Sequence, residues 1–144
     1  MPTTAEIADA VVAELRAAPF DPVLDPVRAW IPLFDLGEML ALHITVVPTG
    51  RSVSLACRGA LQVDHRIDLA VQQKVAVEAV AAVDPIIALA ARIGAYLANR
   101  PLAAAPQAQW VKTEHAPYVA PEHLHELRQV TSVLVLTYRS WEPA

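Results

Sequence analysis

Cysteine and glycine are both scarce in this chain. Cys57 is the only cysteine, which excludes an internal disulfide and a cysteine-rich zinc site, and a lone thiol suits a reducing cytoplasm. The chain has only four glycines and no glycine-rich phosphate loop, so it lacks the usual cradle for a nucleotide. We therefore expect no cofactor.

Clustered positive charge and long apolar runs are also missing. The 11 Lys and Arg residues are scattered along a chain of net charge −4. Tight binding to DNA uses clustered cationic contacts with phosphates, so no high-affinity DNA site is expected. No apolar run approaches the roughly 20 residues that span a bilayer, and the N-terminal residues do not resemble a signal peptide. We expect a soluble protein with no membrane partner.

What the chain has in quantity is apolar residues. They make up 55 % of 144 residues, although much of the excess over the usual composition is alanine. A chain of this length can bury a core without metal or disulfide support. We predict one domain over residues 1–144.

Two helices are predicted from capping signals and apolar spacing. Thr3 and Glu6 have the spacing of a capping box, and the first helix should end near Ala18. Asp84 and Pro85 are predicted as the N-cap and first residue of the second helix, which should end at 99–101. The apolar stripes of the two helices comprise Ile7, Val11 and Leu15, and then Ile86, Leu89, Ala90, Ile93 and Leu97.

Two strands and a mobile arm are predicted in the first half of the chain. Val27–Ile31 stops at a proline and indicates a short edge strand. Residues 39–47 form a second predicted strand that ends in a turn at Pro48-Thr49-Gly50. Residues 51–60 mix arginines and serines, and we expect them to form a flexible arm.

The clearest strand signal lies at residues 61–71. Apolar and polar side chains alternate there, so one face of the strand should be buried. The buried face comprises Val63, His65, Ile67, Leu69 and Val71. Residues 75–83 fit either the end of this strand or the start of a helix.

The last third of the chain predicts two more strands. Gln109–Thr113 is the first, and a short polar turn at residues 121–129 leads into the closing strand, Gln129–Tyr138. The resulting fold is α+β, with a single mixed or antiparallel β-sheet and two main helices packed on one face. The other sheet face and the edge strands would be available to partners.

Three groups of residues have side chains with the chemistry of catalytic or metal sites. His123 and His125, with Glu122 and Glu126, have metal-ligand chemistry, but no further ligand is marked in the sequence, and we predict a solvated turn and no metal. Asp64 and Asp68 would lie about 13 Å apart along a strand, too far to act as paired catalytic carboxylates. We read His65, on the apolar face, as a hydrogen-bonded core residue.

A nucleophile is the remaining catalytic possibility. Cys57 and Ser52 lie in the predicted arm with Arg51 and Arg58, and positive charge can lower the pKa of a thiol. No base partner is evident in the sequence. We predict that the chain is not an enzyme and keep a small cytosolic enzyme as an alternative.

Several segments together resemble the tail-terminator and neck proteins of long-tailed bacteriophages. The resemblance runs through Trp30-Ile31-Pro32, Phe34-Asp35-Leu36, Val46-Val47-Pro48, residues 64–74 and residues 120–138. It covers most of the chain and carries no catalytic signature.

The resemblance implies a structural virion protein. Such proteins form a ring, typically of six subunits, at the head-proximal end of the tail tube, where the ring ends tube growth and joins the tail to the head. The implied partners are other copies of the chain, the tail tube protein and a head-completion or neck protein. DNA would pass through the lumen without specific binding, which suits the net negative charge. The implied location is the virion, and the host cytoplasm during assembly.

The same resemblance leaves a second role open, that of a head-side neck or head-completion protein. In either role, we expect the partner interface to involve residues of the arm and of the polar strand face. These are Arg51, Arg58, Asp64, Arg66 and Asp68.

Overall fold

A computed structural model describes residues 2–20, 23–31, 41–76 and 80–144. The elements in chain order are α1 (Thr4–Ala17), β1 (Val27–Arg28), β2 (His43–Cys57), β3 (Ala60–Lys74), α2 (Val80–Leu97), β4 (Gln109–His115), α3 (Pro121–Leu127) and β5 (Gln129–Pro143). The predicted α+β class is confirmed, with one mixed sheet in the order β1-β2-β3-β5-β4.

Three long antiparallel strands form the centre of this sheet. β2, β3 and β5 each have 15 residues, which corresponds to roughly 50 Å of extended chain. β1 pairs in parallel with β2 at one edge, and β4 pairs antiparallel with β5 at the other. The predicted edge strand is therefore present, but it comprises only Val27 and Arg28. The prediction of a strand from residue 39 falls partly outside the described residues, and the described strand begins at His43.

Both main helices pack on one face of the sheet, which we call the helix face. The hydroxyl of Thr4 in α1 lies 2.8 Å from Nδ1 of His65 in β3. On α2, a Cβ placed on Gly94 would lie 3.5 Å from Cδ2 of Leu134 in β5. His65 pairs with Tyr138, four residues after Leu134, so both contacts are on the same face. The predicted core residues Ile7, Val11, Leu15, Ile67, Leu69, Ile93, Leu97 and Leu134 are all buried there.

The predicted capping box of α1 is confirmed, whereas the predicted start of α2 is wrong. Thr3 accepts a hydrogen bond from the Glu6 amide, and the Glu6 carboxylate accepts one from the Thr3 amide. The described part of α2 begins at Val80, and Pro85 lies inside it. Val83 packs against the core and extends the apolar stripe by one turn. The helix thus continues through the predicted start signal at Asp84, although Pro85 removes one backbone hydrogen bond and crowds the carbonyl of Ala81.

The length and apolar composition of α2 would also suit a membrane span, a property that buried core helices share. In this structure its apolar stripe packs on the helix face. Ile86, Ala90, Ile93 and Leu97 are buried there. The expectation of no membrane partner stays a prediction.

The polar segment at 121–129 is a short helix, so the prediction of a turn is wrong. Pro121 occupies the start of α3, and Arg128 ends it in the left-handed region, with φ of 54°. No side chain of α3 is buried, and therefore no apolar periodicity marks it in the sequence. Nδ1 of His123 lies 2.9 Å from the Thr131 hydroxyl, which points away from the helix face. α3 thus covers the face we call the opposite face.

The predicted turn at residues 48–50 is wrong, and residues 51–60, predicted as a flexible arm, belong to two paired strands and the turn between them. β2 continues to Cys57, and the register with β3 shifts by one residue between Pro48 and Gly50, which is a β-bulge. Pro48 is tolerated because β1 pairs only with Thr45 and Val46, so Pro48 lies on the sheet edge. Residues 51–60 are the end of a hairpin.

The strand predictions for β3, β4 and β5 are confirmed. Their described ends extend beyond the predicted ones, most of all in β5, which continues to Pro143. The five residues predicted to share the buried face of β3 are all buried: Val63, His65, Ile67, Leu69 and Val71.

Leu134 tests the assignment of the buried face. Leu134→Ala should lower the free energy of unfolding by about 2–5 kcal/mol, because the side chain is 1 % exposed and packs against α2. Leu55→Ala is the matched control, since the same substitution at a 71 % exposed side chain should change stability by no more than about 0.5 kcal/mol. Urea denaturation of both variants measures the difference. Similar losses would contradict the assignment.

Candidate functional site: the distal sheet and its free edges

One end of the sheet extends past the helices. We call this end the distal sheet and define it as residues 51–64 of the β2–β3 hairpin with residues 139–143 of β5. Every residue from 49 to 59 is exposed. The hairpin turns at Arg58-Gly59, where Gly59 has φ of +86°, a conformation that glycine adopts without strain. The opposite end of the sheet, where β3 ends and β5 begins, is the proximal end.

Apolar side chains occupy the helix face of the distal sheet. Val53 is 48 % exposed and Leu55 is 71 % exposed, whereas Val63, the partner of Val53, is fully buried. Arg51 and Glu142 flank these residues with an ion pair of 3.6 Å. The bulge sets this arrangement, because the extra residue puts Arg51, Val53 and Leu55 on the face that Ile44 and Val46 occupy before it.

His65 joins the distal sheet to α1. Its Nδ1 lies 2.8 Å from the Thr4 hydroxyl and its Nε2 lies 2.8 Å from the Ser140 hydroxyl, so the neutral ring has a partner on each nitrogen. Burial lowers the pKa of His65 below its ordinary value, and the positive charge of Arg51 lowers it further. The prediction of a hydrogen-bonded core histidine is confirmed.

A groove opens beside His65. It has a volume of about 570 Å³ and lies between the start of α1, the exposed ring of Trp30 and the β2 bulge. Arg51 and Glu142 line its distal side. The groove runs along the edge strand β2, so side chains of a strand added to that edge would have space there.

The opposite face of the sheet carries ion pairs. Arg139 donates two hydrogen bonds to the Asp64 carboxylate, at 2.7 and 3.2 Å, and holds the pKa of Asp64 below its ordinary value. Arg66 lies 3.6 Å from Asp68, whose pKa is nevertheless raised by burial. Lys112 and Glu114 on β4 form a third pair, at 2.8 Å. The positive and negative side chains of this patch therefore compensate each other in three ion pairs.

The five residues predicted for the partner interface lie in one region but not on one face. Asp64, Arg66 and Asp68 belong to the ion-paired opposite face, whereas Arg51 belongs to the helix face and Arg58 to the hairpin turn. The predicted interface residues are therefore divided between the two faces and the hairpin turn.

Sequence reasoning missed several residues of the distal sheet. Val53 and Leu55 alternate with Ser52 and Ser54, and this alternation is typical of a strand. The arginines at positions 51 and 58 led instead to the prediction of a flexible arm. The partners Arg139 and Glu142 were not predictable from the local sequence, because they come from β5, more than 70 residues later.

The candidate nucleophiles also lie in this hairpin. Cys57 is exposed at the end of β2, and Ser52 pairs with Asp64. Among the residues described, no three His, Cys, Asp or Glu side chains come together in a way that could hold a metal ion. His123 is hydrogen bonded to Thr131.

The sheet has an open edge on each side. Within the described ranges, no strand pairs with the outer side of β2 from Val47 to Cys57, nor with the outer side of β4. Unpaired strand edges present backbone donors and acceptors that can pair with another chain. The longer of the two edges borders Val53 and Leu55.

A buried polar cluster lies on the opposite face at the proximal end. The side-chain amides of Gln72 and Gln129 both donate to the Thr131 hydroxyl, at 3.4 and 3.3 Å. The carbonyl oxygens of these two glutamines and the hydroxyl of Thr45 are buried without a protein partner. Ordered water commonly satisfies such groups.

Comparisons with known proteins give no relative for this site. No model of a protein family matches the chain, and no characterised protein is significantly similar to it in sequence.

His65 should make the folded state less stable at mildly acidic pH. Its pKa is lower in the folded state, so the unfolded chain takes up the proton first, and stability should fall as pH drops below about 6.5 toward the folded pKa. His65→Gln should reduce the slope of stability against pH between about 5 and 6.5. A residual slope should remain, because burial also lowers the pKa of His115.

The control for this prediction is Leu55→Ala, which changes an exposed side chain of the hairpin and removes no titratable group. It should keep the slope of the unsubstituted protein. Denaturant melts at several pH values provide the measurement, and equal slopes for the two variants would contradict the role assigned to His65.

Proposed function

We propose that this chain is a tail-terminator-like assembly protein of a long-tailed bacteriophage. In this role, copies of the chain form a ring at the head-proximal end of the tail tube. The resemblance implies six subunits in the ring. The ring ends tube growth and joins the tail to the head. The observation that carries the proposal is the distal sheet, which extends a partly apolar hairpin away from the helix-covered core.

The distal sheet suits attachment because it combines three properties of recognition surfaces. It is anchored by strands that continue into the core, so it needs little ordering on binding. Its helix face exposes Val53 and Leu55, and apolar side chains of this kind are buried at interfaces. Arg51 and Arg58 add positive charge at its end, which can orient an acidic partner surface.

The proposed partners follow from this role. One is a second copy of the chain, and the others are the tail tube protein on one side of the ring and a head-completion or neck protein on the other. The net charge of −4 suits a channel through which DNA passes without specific binding. The proposed location is the virion, with assembly in the host cytoplasm.

Arg51→Ala combined with Arg58→Ala tests whether the distal sheet is the attachment element. The double variant should melt within a few degrees of the unsubstituted protein, because both side chains are exposed and the Arg51 ion pair is on the surface. Joining of tails to heads should nevertheless fail. Arg92→Ala with Arg100→Ala is the matched control, since it removes the same charge from exposed positions on and just after α2.

Phage particles are produced with each double variant in place of the unsubstituted protein and examined by electron microscopy. Their tails distinguish a role in ending tube growth from a role in docking to the head. Overlong tails would indicate failed termination, and normal-length free tails would indicate failed docking and favour a neck protein. Normal virions from the distal double variant would rule out Arg51 and Arg58 as recognition residues. A strict monomer in intact particles would reject the ring altogether.

A further inference from the structure

We infer that neighbouring copies of this chain join by pairing the distal outer edge of β2 in one copy with the outer edge of β4 in the next. The biological setting of this inference rests on the proposed function. The level and direction of the two edges and the backbone orientation of β2 support this contact. Its partner is a second copy of the same chain.

The two edges lie on opposite sides of one sheet and at overlapping levels. Strand register connects Gln109 through Arg139 and Asp64 to Ser52, and it connects Glu114 through Val135 and Asp68 to Val47. The β4 edge is thus level with residues 47–52 of β2. A neighbour displaced sideways and shifted a few residues along the strands would bring the β4 edge beside the distal outer edge of β2, which includes Val53 and Leu55.

The strand directions also fit. Three successive antiparallel pairings separate β2 from β4, so these two strands run in opposite directions. Side-by-side copies of the chain would therefore form an antiparallel pair at the junction. Because the two edges are different surfaces, the contact is heterologous, and its repetition closes a ring when the rotation between neighbours divides a full turn.

Backbone orientation shows which groups are available on β2. The Ala29 amide donates to the Val46 carbonyl at 3.0 Å, so the backbone of Val46 faces the outer edge. Outward and inward orientations alternate along a strand, so Pro48 also faces outward, and it has no amide to donate. After the bulge, Val53 and Leu55 face outward in the same way as Val46.

Pairing there would also cover exposed apolar surface. Val53 and Leu55 project from the helix face beside the edge, next to the groove that starts at the β2 bulge. On the opposite face, β2 would separate the Lys112–Glu114 pair of one copy from the Arg66–Asp68 pair of the next. The junction therefore joins apolar surface on one face and balanced charge on the other.

Disulfide scanning tests the junction. Cys57→Ser provides a cysteine-free background, since Cys57 is the only cysteine. Ser52→Cys is then combined in turn with Gln109→Cys, Lys112→Cys or Glu114→Cys, all exposed positions on the opposite face. At least one pair should give, after oxidation, a ladder of covalent oligomers that ends at the ring size. The scan is run on concentrated protein and in cells producing the phage.

Two controls make the scan specific. Ser52→Cys with Glu122→Cys on α3 should give no ladder. Ser52→Cys alone should give no covalent dimer, and a strong dimer would show that β2 pairs with β2, which overturns the inference. The absence of any ladder, both in concentrated protein and in producing cells, would overturn it as well.

Val53→Pro gives an independent measurement. It removes one outward amide, so ring assembly should fall at least tenfold while the monomer stays folded by circular dichroism. Val53→Thr keeps the amide and should assemble. Rings that persist with Val53→Pro overturn the edge pairing but leave the proposed function intact. Loss of rings with normal tails in virions would sustain the edge pairing and reject the proposed function.

Discussion

The full-length pairing of β3 with β5 is the constraint on which the rest of the structure depends. The register is unbroken from Ala60 with Pro143 to Lys74 with Gln129. This pairing places two strands from distant parts of the chain at the centre of the sheet, where α1 and α2 cover one side. It also supports the distal sheet, because β5 remains paired with β3 as far as the hairpin turn.

The sheet serves two purposes along its length. Near the helices, its side chains form the core, and stability there comes from apolar burial. Beyond His65, the side chains of β2 are exposed, whereas β3 and β5 keep Val63 and Ser140 buried, and the ion pairs Arg139–Asp64 and Arg51–Glu142 add to the backbone ladder. Thr4 and Ser140 hold His65 at this boundary, so the orientation of the distal sheet relative to α1 depends on a buried neutral imidazole.

The β2 bulge connects the fold to the candidate interface. A strand without the extra residue would place Val53 and Leu55 on the opposite face, among the ion pairs of Asp64 and Arg66. With the bulge, apolar and charged side chains are separated onto two faces. Beyond the bulge, β2 is regular as far as Leu55, where its register with β3 shifts again, and this regular part is the edge we propose for contact with a neighbouring copy.

The sequence by itself determined the helix-on-sheet architecture, the core of α1 and the buried face of β3, because periodic burial leaves a periodic pattern. It did not determine α3, whose side chains are not buried, or the start of α2, where the helix continues through a local capping signal. Only the tertiary structure decided that residues 51–60 form a hairpin supported by β5, that Arg139 pairs with Asp64, and that the two open edges lie level on opposite sides. These features depend on strand register between distant segments, which no local pattern encodes.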